Sequence, residues 1–170
     1  RIAPAWVAAA LWALGLTIAL GLQARDRGRG ALATARDFFG VLRVEARERG
    51  TPEEPLVMLH GSVVHGGQYV HDRAYPATAF GPGSLLADAV RLHPKRLAGQ
   101  PMRLGVVGMG VGTIAAHGQP GDALRLYELN PQVVAWARGE GGFFSYLQDT
   151  RARWEIRPGD ARLQLERERA

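Results

Sequence analysis

The first stretch of the chain is apolar without interruption. No charged residue occurs between Ile2 and Ala24, where leucine, alanine, tryptophan and glycine predominate. A helix needs about 20 apolar residues to cross the ~30 Å hydrocarbon core of a bilayer, so the pattern predicts a transmembrane helix over 2–24. A signal peptide, whose apolar region is shorter, and a buried core helix are the alternatives.

The segment after this apolar stretch is basic. Residues 25–36 contain four arginines, whereas Arg1 alone precedes the stretch. Positively charged flanks tend to stay on the cytoplasmic side of a membrane, so we expect the chain after residue 25 to face the cytoplasm. The arginine, glycine and alanine content of residues 25–36 predicts a linker.

Short runs of strand-forming residues come next. The runs at 38–48 and 56–60 are rich in β-branched and aromatic residues and predict an antiparallel hairpin. The valine pair at 63–64 predicts a third short strand, which two glycines interrupt. We therefore predict a small β-domain over 37–73.

From residue 74 onward, apolar strand-like runs alternate with short helical segments. Ser84 is a suitable N-cap for the first helix, and His93-Pro94 is expected to end it. Such alternation predicts an α/β domain with a parallel sheet, of which residues 74–170 form the N-terminal part. The predicted strands are 102–107, 123–129 and 153–157, and the predicted helices are 85–92, 113–117, 131–138, 143–149 and 160–169.

A glycine turn follows the first strand of that domain. Gly108, Gly110 and Gly112 are spaced Gly-x-Gly-x-Gly, and Glu128 comes near the end of the next predicted strand. The carboxyl ends of adjacent parallel strands meet where ligands bind in open α/β sheets. Glycines let the backbone approach a ligand closely, and a carboxylate can accept hydrogen bonds from ribose hydroxyls. The pattern predicts a site for a nucleoside-bearing cofactor.

The glycine spacing separates two classes of cofactor. A dinucleotide site has Gly-x-Gly-x-x-Gly, with the pyrophosphate at a helix N-terminus, and its third glycine would stand where this chain has Thr113. Gly-x-Gly-x-Gly resembles the first motif of the S-adenosylmethionine-dependent methyltransferase-like fold, whose cofactor has no pyrophosphate. The spacing favours that cofactor over NAD, and a glycine turn without a ligand is the remaining alternative.

Composition excludes several kinds of site. The 170 residues include 21 Lys+Arg and 16 Asp+Glu, for a net charge of +5, but the two signs are interleaved as on a solvated surface. The chain has no cysteine, and its five histidines show no metal-ligand spacing. We therefore expect neither nucleic acid nor a metal ion as a ligand.

Several segments, taken together and in order, are similar to the spermidine synthase (polyamine aminopropyltransferase) family. The similarity is greatest to the bacterial branch in which a spermidine-synthase-like domain follows membrane helices, and it covers about residues 37–170. The segments are 38–44, 60–68, 80–84, 108–112, 128–131 and 159–161.

The resemblance implies a fold and a location. The fold would be a Rossmann-like S-adenosylmethionine-dependent methyltransferase fold, truncated in this chain and preceded by a small β-domain and one transmembrane helix. The location would be the bacterial inner membrane, with the soluble domain facing the cytoplasm.

The resemblance also implies roles for individual residues. Gln68 would contact the cofactor, the three glycines of the turn would pass beneath its aminoacyl or aminopropyl part, and Glu128 would hold the ribose hydroxyls. Asp160 would accept a hydrogen bond from the exocyclic amine of adenine, and the backbone amide of Ala161 would face the ring. The alternatives are a surface glutamine for Gln68, a strand-end surface acid for Glu128, and a helix N-cap for Asp160.

Two departures from the family pattern concern the amine substrate. Val111 stands where spermidine synthases carry an aspartate in the glycine turn, and Phe80-Gly81-Pro82 stands where they carry Tyr-His-Glu. A polyamine is a polycation that needs acidic partners, so these changes weaken the expectation of polyamine binding. The family's catalytic aspartate is expected after Ala170, and no catalytic residue is assigned here.

The leading hypothesis is a membrane-attached transferase that binds decarboxylated S-adenosylmethionine or S-adenosylmethionine. It would move an aminopropyl or related group to a small-molecule amine. The alternatives are a methyltransferase acting on a non-polyamine substrate and a non-catalytic nucleoside-sensing module attached to a membrane transporter. The membrane is an expected partner, and a homodimer is left open.

Overall fold

The computed structural model describes residues 5–28, 30–48, 50–51 and 54–168. Helix α1 spans Ala5–Gly28, so most of the predicted 2–24 segment is helical, and residues 2–4 lie outside the described residues. The stretch Ala5–Arg25 is long and apolar enough to cross a membrane, and none of its most apolar part is buried.

The predicted linker over 25–36 is wrong at both ends, because α1 continues to Gly28 and a strand begins at Ala31. Strand β1 covers Ala31–Asp37 and pairs antiparallel with β2, Gly40–Ala46. Alanine and arginine have low strand propensity, so this run gave no strand signal. Pairing with β2 and the packing of Ala33 and Ala35 against the core stabilise β1 instead.

Two further strands complete an antiparallel sheet with the order β1-β2-β3-β4. Strand β3 covers Pro55–His60, and β4 covers Val63–Tyr69. The two glycines expected to interrupt the third predicted strand lie inside β4. In the β3–β4 register, Leu59 pairs with Val64 and Met58 pairs with Gly66, so His65 is the extra residue of a β-bulge.

Two short helices lead from the first sheet to the second. Helix α2, Leu85–Arg91, begins as predicted at Ser84, whose hydroxyl accepts a hydrogen bond from the backbone N–H of Ala87 at 3.1 Å. Pro94 does not simply end α2, because it starts a separate helix, α3, over Pro94–Leu97. Proline fits this first position because that position donates no intrahelical hydrogen bond.

The second sheet is parallel, with the order β5-β6-β7. All three strands occur where the sequence predicts them. The segment Thr113–His117 is a 3-10 helix between β5 and β6. The strands are β5, Arg103–Val107, β6, Ala123–Glu128, and β7, Arg153–Pro158, and the remaining helices are α4, Pro131–Ala137, α5, Tyr146–Asp149, and α6, Ala161–Glu168.

One buried cluster joins the two sheets. It includes Leu42 and Met58 from the antiparallel sheet, Leu124 and Leu126 from β6, and Trp136 from α4. Burying these side chains away from water is the main stabilising contribution to such a core. The site that lies between the sheets therefore rests on a shared core.

The opposite face of the parallel sheet is charged. Side chains alternate along β6, so Arg125 and Tyr127 point away from the core leucines and towards α6. Arg125 pairs with Glu155 and Glu168, and the Tyr127 hydroxyl donates to Glu168 at 2.9 Å. These contacts hold α6 against β6 and β7.

A buried ion pair fixes the amino-terminal ends of β5 and β6. The Asp122 carboxylate contacts the Arg96 guanidinium at 2.5 Å and accepts backbone hydrogen bonds from Met102 at 2.8 Å and Gln119 at 2.9 Å. Burial raises the pKa of Asp122, but the bonds from Arg96 and the backbone outweigh it and hold the pKa below its ordinary value.

Asp122→Ala is expected to lower the unfolding free energy by about 3–5 kcal/mol, because it leaves the Arg96 charge buried without a partner. Urea titration of the detergent-solubilised protein measures this. Asp88→Ala is the control, since its 3.0 Å pair with Arg91 is exposed and such pairs contribute about 0–1 kcal/mol. The pKa of Asp122 is lower in the folded protein than in the unfolded chain. Its contribution to the unfolding free energy should therefore be present above about pH 4 and be lost as the pH falls below that value. Equal losses in the two variants would contradict this role.

Candidate functional site

The glycine turn and Glu128 lie together at the carboxyl ends of β5 and β6. The backbone N–H of Met109 donates to Oε2 of Glu128 at 3.1 Å, and that of Gly108 donates to the Tyr127 carbonyl at 2.9 Å. The other carboxylate oxygen accepts the N–H of Asn130 at 2.9 Å. The Glu128 carboxylate thus orients the glycine turn and also faces the space beside the turn.

The three glycines serve different purposes, although all have positive φ values. A Cβ on Gly108 would meet no atom within 4 Å, whereas one on Gly112 would lie 3.1 Å from Cγ of Leu147. A Cβ on Gly110 would overlap the carbonyl oxygen of His65. Packing against the His65 carbonyl therefore requires Gly110, Gly112 lies in tight contact with Leu147, and Gly108 is the glycine of the turn that borders open space.

The bulge of β4 is seated on this turn. Besides the close approach of the His65 carbonyl to Gly110, a Cβ on Gly66 would lie only 2.8 Å from Cγ2 of Val111. Val111 is buried, so the position where the family pattern has an aspartate is an apolar packing position here. The antiparallel sheet thereby forms one wall of the site.

The charge of Glu128 acts on the side chain of His65 in β4. Its ring is 5.3 Å, centroid to centroid, from the ring of His60, whose Nε2 contacts the Phe39 carbonyl at 2.5 Å. Burial and the neighbouring His60 lower the pKa of His65, and Glu128 opposes this shift. Sequence reasoning gave His65 no role, although glycines inside a strand run are a signal for a bulge.

Gln68 lies in the interior rather than on the surface, so the alternative of a surface glutamine is wrong. It is 1% exposed, and its Nε2 donates to the carbonyl of Arg73 at 2.7 Å and to the hydroxyl of Ser145 at 3.1 Å. Its Oε1 accepts the backbone N–H of Ser145 at 2.8 Å. A contact with a cofactor stays a prediction, and the donors of the Gln68 amide are already engaged by Arg73 and Ser145.

Asp160 follows the end of β7 and caps α6. Its Oδ1 accepts the backbone N–H of Leu163 at 3.0 Å, so the predicted capping role is confirmed. The preceding Gly159 donates its N–H to the Glu128 carbonyl at 2.8 Å. The exposed Asp160 carboxylate and the amide of Ala161 therefore stand beside Glu128, at the end of the neighbouring strand.

The structure thus gathers the predicted residues into two groups. Gly108, Glu128 and Asp160 follow or end three adjacent parallel strands, and Gln68 lies apart from them in a buried hydrogen-bond network. Within the part of the chain that the structure describes, no group of three or more histidine or acidic side chains is arranged to hold a metal ion.

No protein-family model and no curated protein matches the sequence. The fold is similar to the crystal structure of a probable spermidine synthase from Corynebacterium glutamicum ATCC 13032, with a TM-score of 0.58 and 18% sequence identity. The similarity covers 79% of this chain and 46% of that protein, so this chain spans less than half of its structural relative. The two proteins share a mixed α/β fold that includes the parallel sheet.

Gly110→Ala should destabilise the protein more than Gly108→Ala. Both substitutions put a side chain at positive φ, which costs about 1–2 kcal/mol, but only the first also drives a Cβ into the His65 carbonyl. Unfolding midpoints in urea compare the two variants directly. Equal midpoints would show that β4 is not held against the turn as described.

Proposed function

We propose that this chain belongs to a membrane-attached transferase of the spermidine-synthase-like group. It binds decarboxylated S-adenosylmethionine or S-adenosylmethionine and transfers an aminopropyl or related group to an amine. The observation that carries the proposal is the hydrogen bond between Met109 and Glu128, which places a glycine turn and a carboxylate together at adjacent strand ends. The similarity to a probable spermidine synthase supports it, and the proposal implies a Rossmann-like methyltransferase fold.

The geometry leaves room for a nucleoside at these strand ends. Each oxygen of a carboxylate can accept more than one hydrogen bond, so Glu128 can hold Met109 and Asn130 and still accept from ribose hydroxyls. The open side of Gly108 allows the ligand to approach the backbone. Asp160 and Ala161 then face the base, with Asp160 keeping its capping bond.

The reaction is an in-line displacement. The nitrogen of the amine forms a bond to the carbon next to the sulfonium, the carbon–sulfur bond breaks, and its electron pair stays on the sulfur as a neutral thioether. The attacking amine loses a proton to a base. The described residues bind and orient the nucleoside, and the resemblance to the family implies an aspartate as the base.

Val111 favours one alternative for the acceptor. Because this position packs against Gly66, the turn offers no carboxylate to a polycation there. Methyl transfer to a non-polyamine substrate is therefore the second candidate. Mass spectrometry of the products separates the two, because a transferred methyl group and a transferred aminopropyl group add different masses to the acceptor.

The proposal places α1 in the bacterial inner membrane and the rest of the chain in the cytoplasm. The unburied apolar surface of α1 and the arginines at residues 25–36 support this arrangement. A homodimer and an amine partner stay predictions.

Glu128→Gln should weaken the binding of methylthioadenosine at least about tenfold, because hydrogen bonds to a charged acceptor contribute about 1.5–3 kcal/mol. Isothermal titration of the full-length protein measures the dissociation constant. Glu140→Gln, at an exposed acid away from the strand ends, is the matched control. The proposal fails if the wild type shows no binding, or if Glu128→Ala binds as the wild type does.

Deletion of residues 2–24 should move the protein from the membrane pellet to the soluble fraction, because it removes the apolar surface that only lipid can cover. Carbonate extraction followed by immunoblotting measures the distribution. Retention of the shortened protein in the carbonate-resistant pellet would refute α1 as its anchor.

A further inference from the structure

A bulge at the site wall fixes the position of one unassigned histidine. His65 is the extra residue of β4 between the pairs Leu59–Val64 and Met58–Gly66. Bulges next to sites re-aim a side chain that a regular strand would direct elsewhere. The carbonyl of His65 is pressed against Gly110, so the residue cannot shift without displacing the glycine turn.

The surroundings of the His65 ring are sparsely charged. His60 faces it from β3, and Glu128 faces it from the end of β6. The turn at 108–112 contains no titratable side chain. His60 is engaged with the Phe39 carbonyl, which leaves the exposed imidazole of His65 as the group of the bulge that can gain a charge.

A nucleoside held by Glu128 brings its sulfur to this neighbourhood. In the proposed complex, the 5′ substituent of a nucleoside whose ribose is bonded to Glu128 would pass the open side of Gly108, beside the turn that the His65 carbonyl contacts. A sulfonium carries a full positive charge at that atom, whereas the corresponding thioether is neutral. A positive charge on His65 would therefore repel the sulfonium but not the thioether.

Resting on the proposed function, we propose that His65 is a specificity-determining residue of the nucleoside site. Its neutral imidazole admits a sulfonium nucleoside, and its protonated form disfavours that ligand relative to the thioether. The affinity for the substrate relative to the product therefore falls as the pH falls.

The direction of the pH effect follows from the environment of the ring. Partial desolvation of the ring and the neighbouring His60 lower the pKa of His65, so it stays neutral to a lower pH than an isolated histidine. Protonation then places a positive charge near the sulfur, and repulsion between two unit charges at short range in a partly exposed site changes affinity on the order of tenfold. A bound sulfonium should in turn lower the pKa of His65 further.

The test compares S-adenosylmethionine with S-adenosylhomocysteine, which carry the same base, ribose and amino-acid groups and differ in the sulfur. Isothermal titration of the full-length protein at pH 8 and pH 5.5 gives the ratio of their dissociation constants. The wild type should lose affinity for the sulfonium relative to the thioether as the pH falls, by up to about tenfold when His65 is fully protonated. His65→Gln should show a constant ratio, and His71→Gln, at an exposed histidine outside the site, should behave as the wild type.

The outcomes separate this inference from the function on which it rests. If neither nucleoside binds at either pH, the proposed function fails, and the role of His65 fails with it. If both bind but His65→Gln keeps the pH-dependent ratio, the inference alone is overturned. His65→Asn, with circular dichroism to confirm folding, repeats the test with a second neutral side chain, and a constant ratio in both variants supports the role of His65.

Discussion

The seating of β4 on the glycine turn is the contact on which the rest of the molecule depends. Two glycines make it possible, because Gly110 accommodates the His65 carbonyl and Gly66 accommodates Val111. The buried hydroxyl of Tyr146 reinforces it from the far side, lying 3.2 Å from the Gly67 carbonyl and accepting the N–H of Ala77 at 3.1 Å. Burial raises the pKa of Tyr146 to about 12, so the hydroxyl keeps the proton that it donates. The antiparallel sheet is therefore a fixed wall of the site.

This contact changes how the glycine motif is understood. A Gly-x-Gly-x-Gly turn suggests three positions cleared for a ligand, yet only Gly108 borders open space, while Gly110 and Gly112 are occupied by the protein's own packing. The same contact explains Val111, because a charged side chain there would be buried against Gly66 without a partner. The turn is adapted to hold β4 as much as to approach a nucleoside.

The sequence was informative where local signals agreed with the tertiary structure. The strands of the parallel sheet are short apolar runs, and the Ser84 cap and the Asp160 cap are local hydrogen bonds that residue type predicts. The sequence was uninformative where the local structure depends on a partner residue that is distant in the chain. β1 forms because β2 is available to pair, and Gln68 is buried because Ser145, far along the chain, satisfies its amide. No window of neighbouring residues contains those partners.

The two kinds of recognition at this site come from different sheets. Glu128 and Asp160, at strand ends of the parallel sheet, face the ribose and the base in the proposed complex. In that complex the 5′ substituent, which carries the reacting carbon, would lie beside β4, whose bulge depends on a register shift in the antiparallel sheet. Substitutions in β4 can therefore alter the choice among sulfur-bearing ligands without disturbing the bond between Glu128 and Met109. Because the bulge rests on Gly110, any such change must preserve the close approach of the two backbones, which limits the variation to the side chain of His65 and its neighbours.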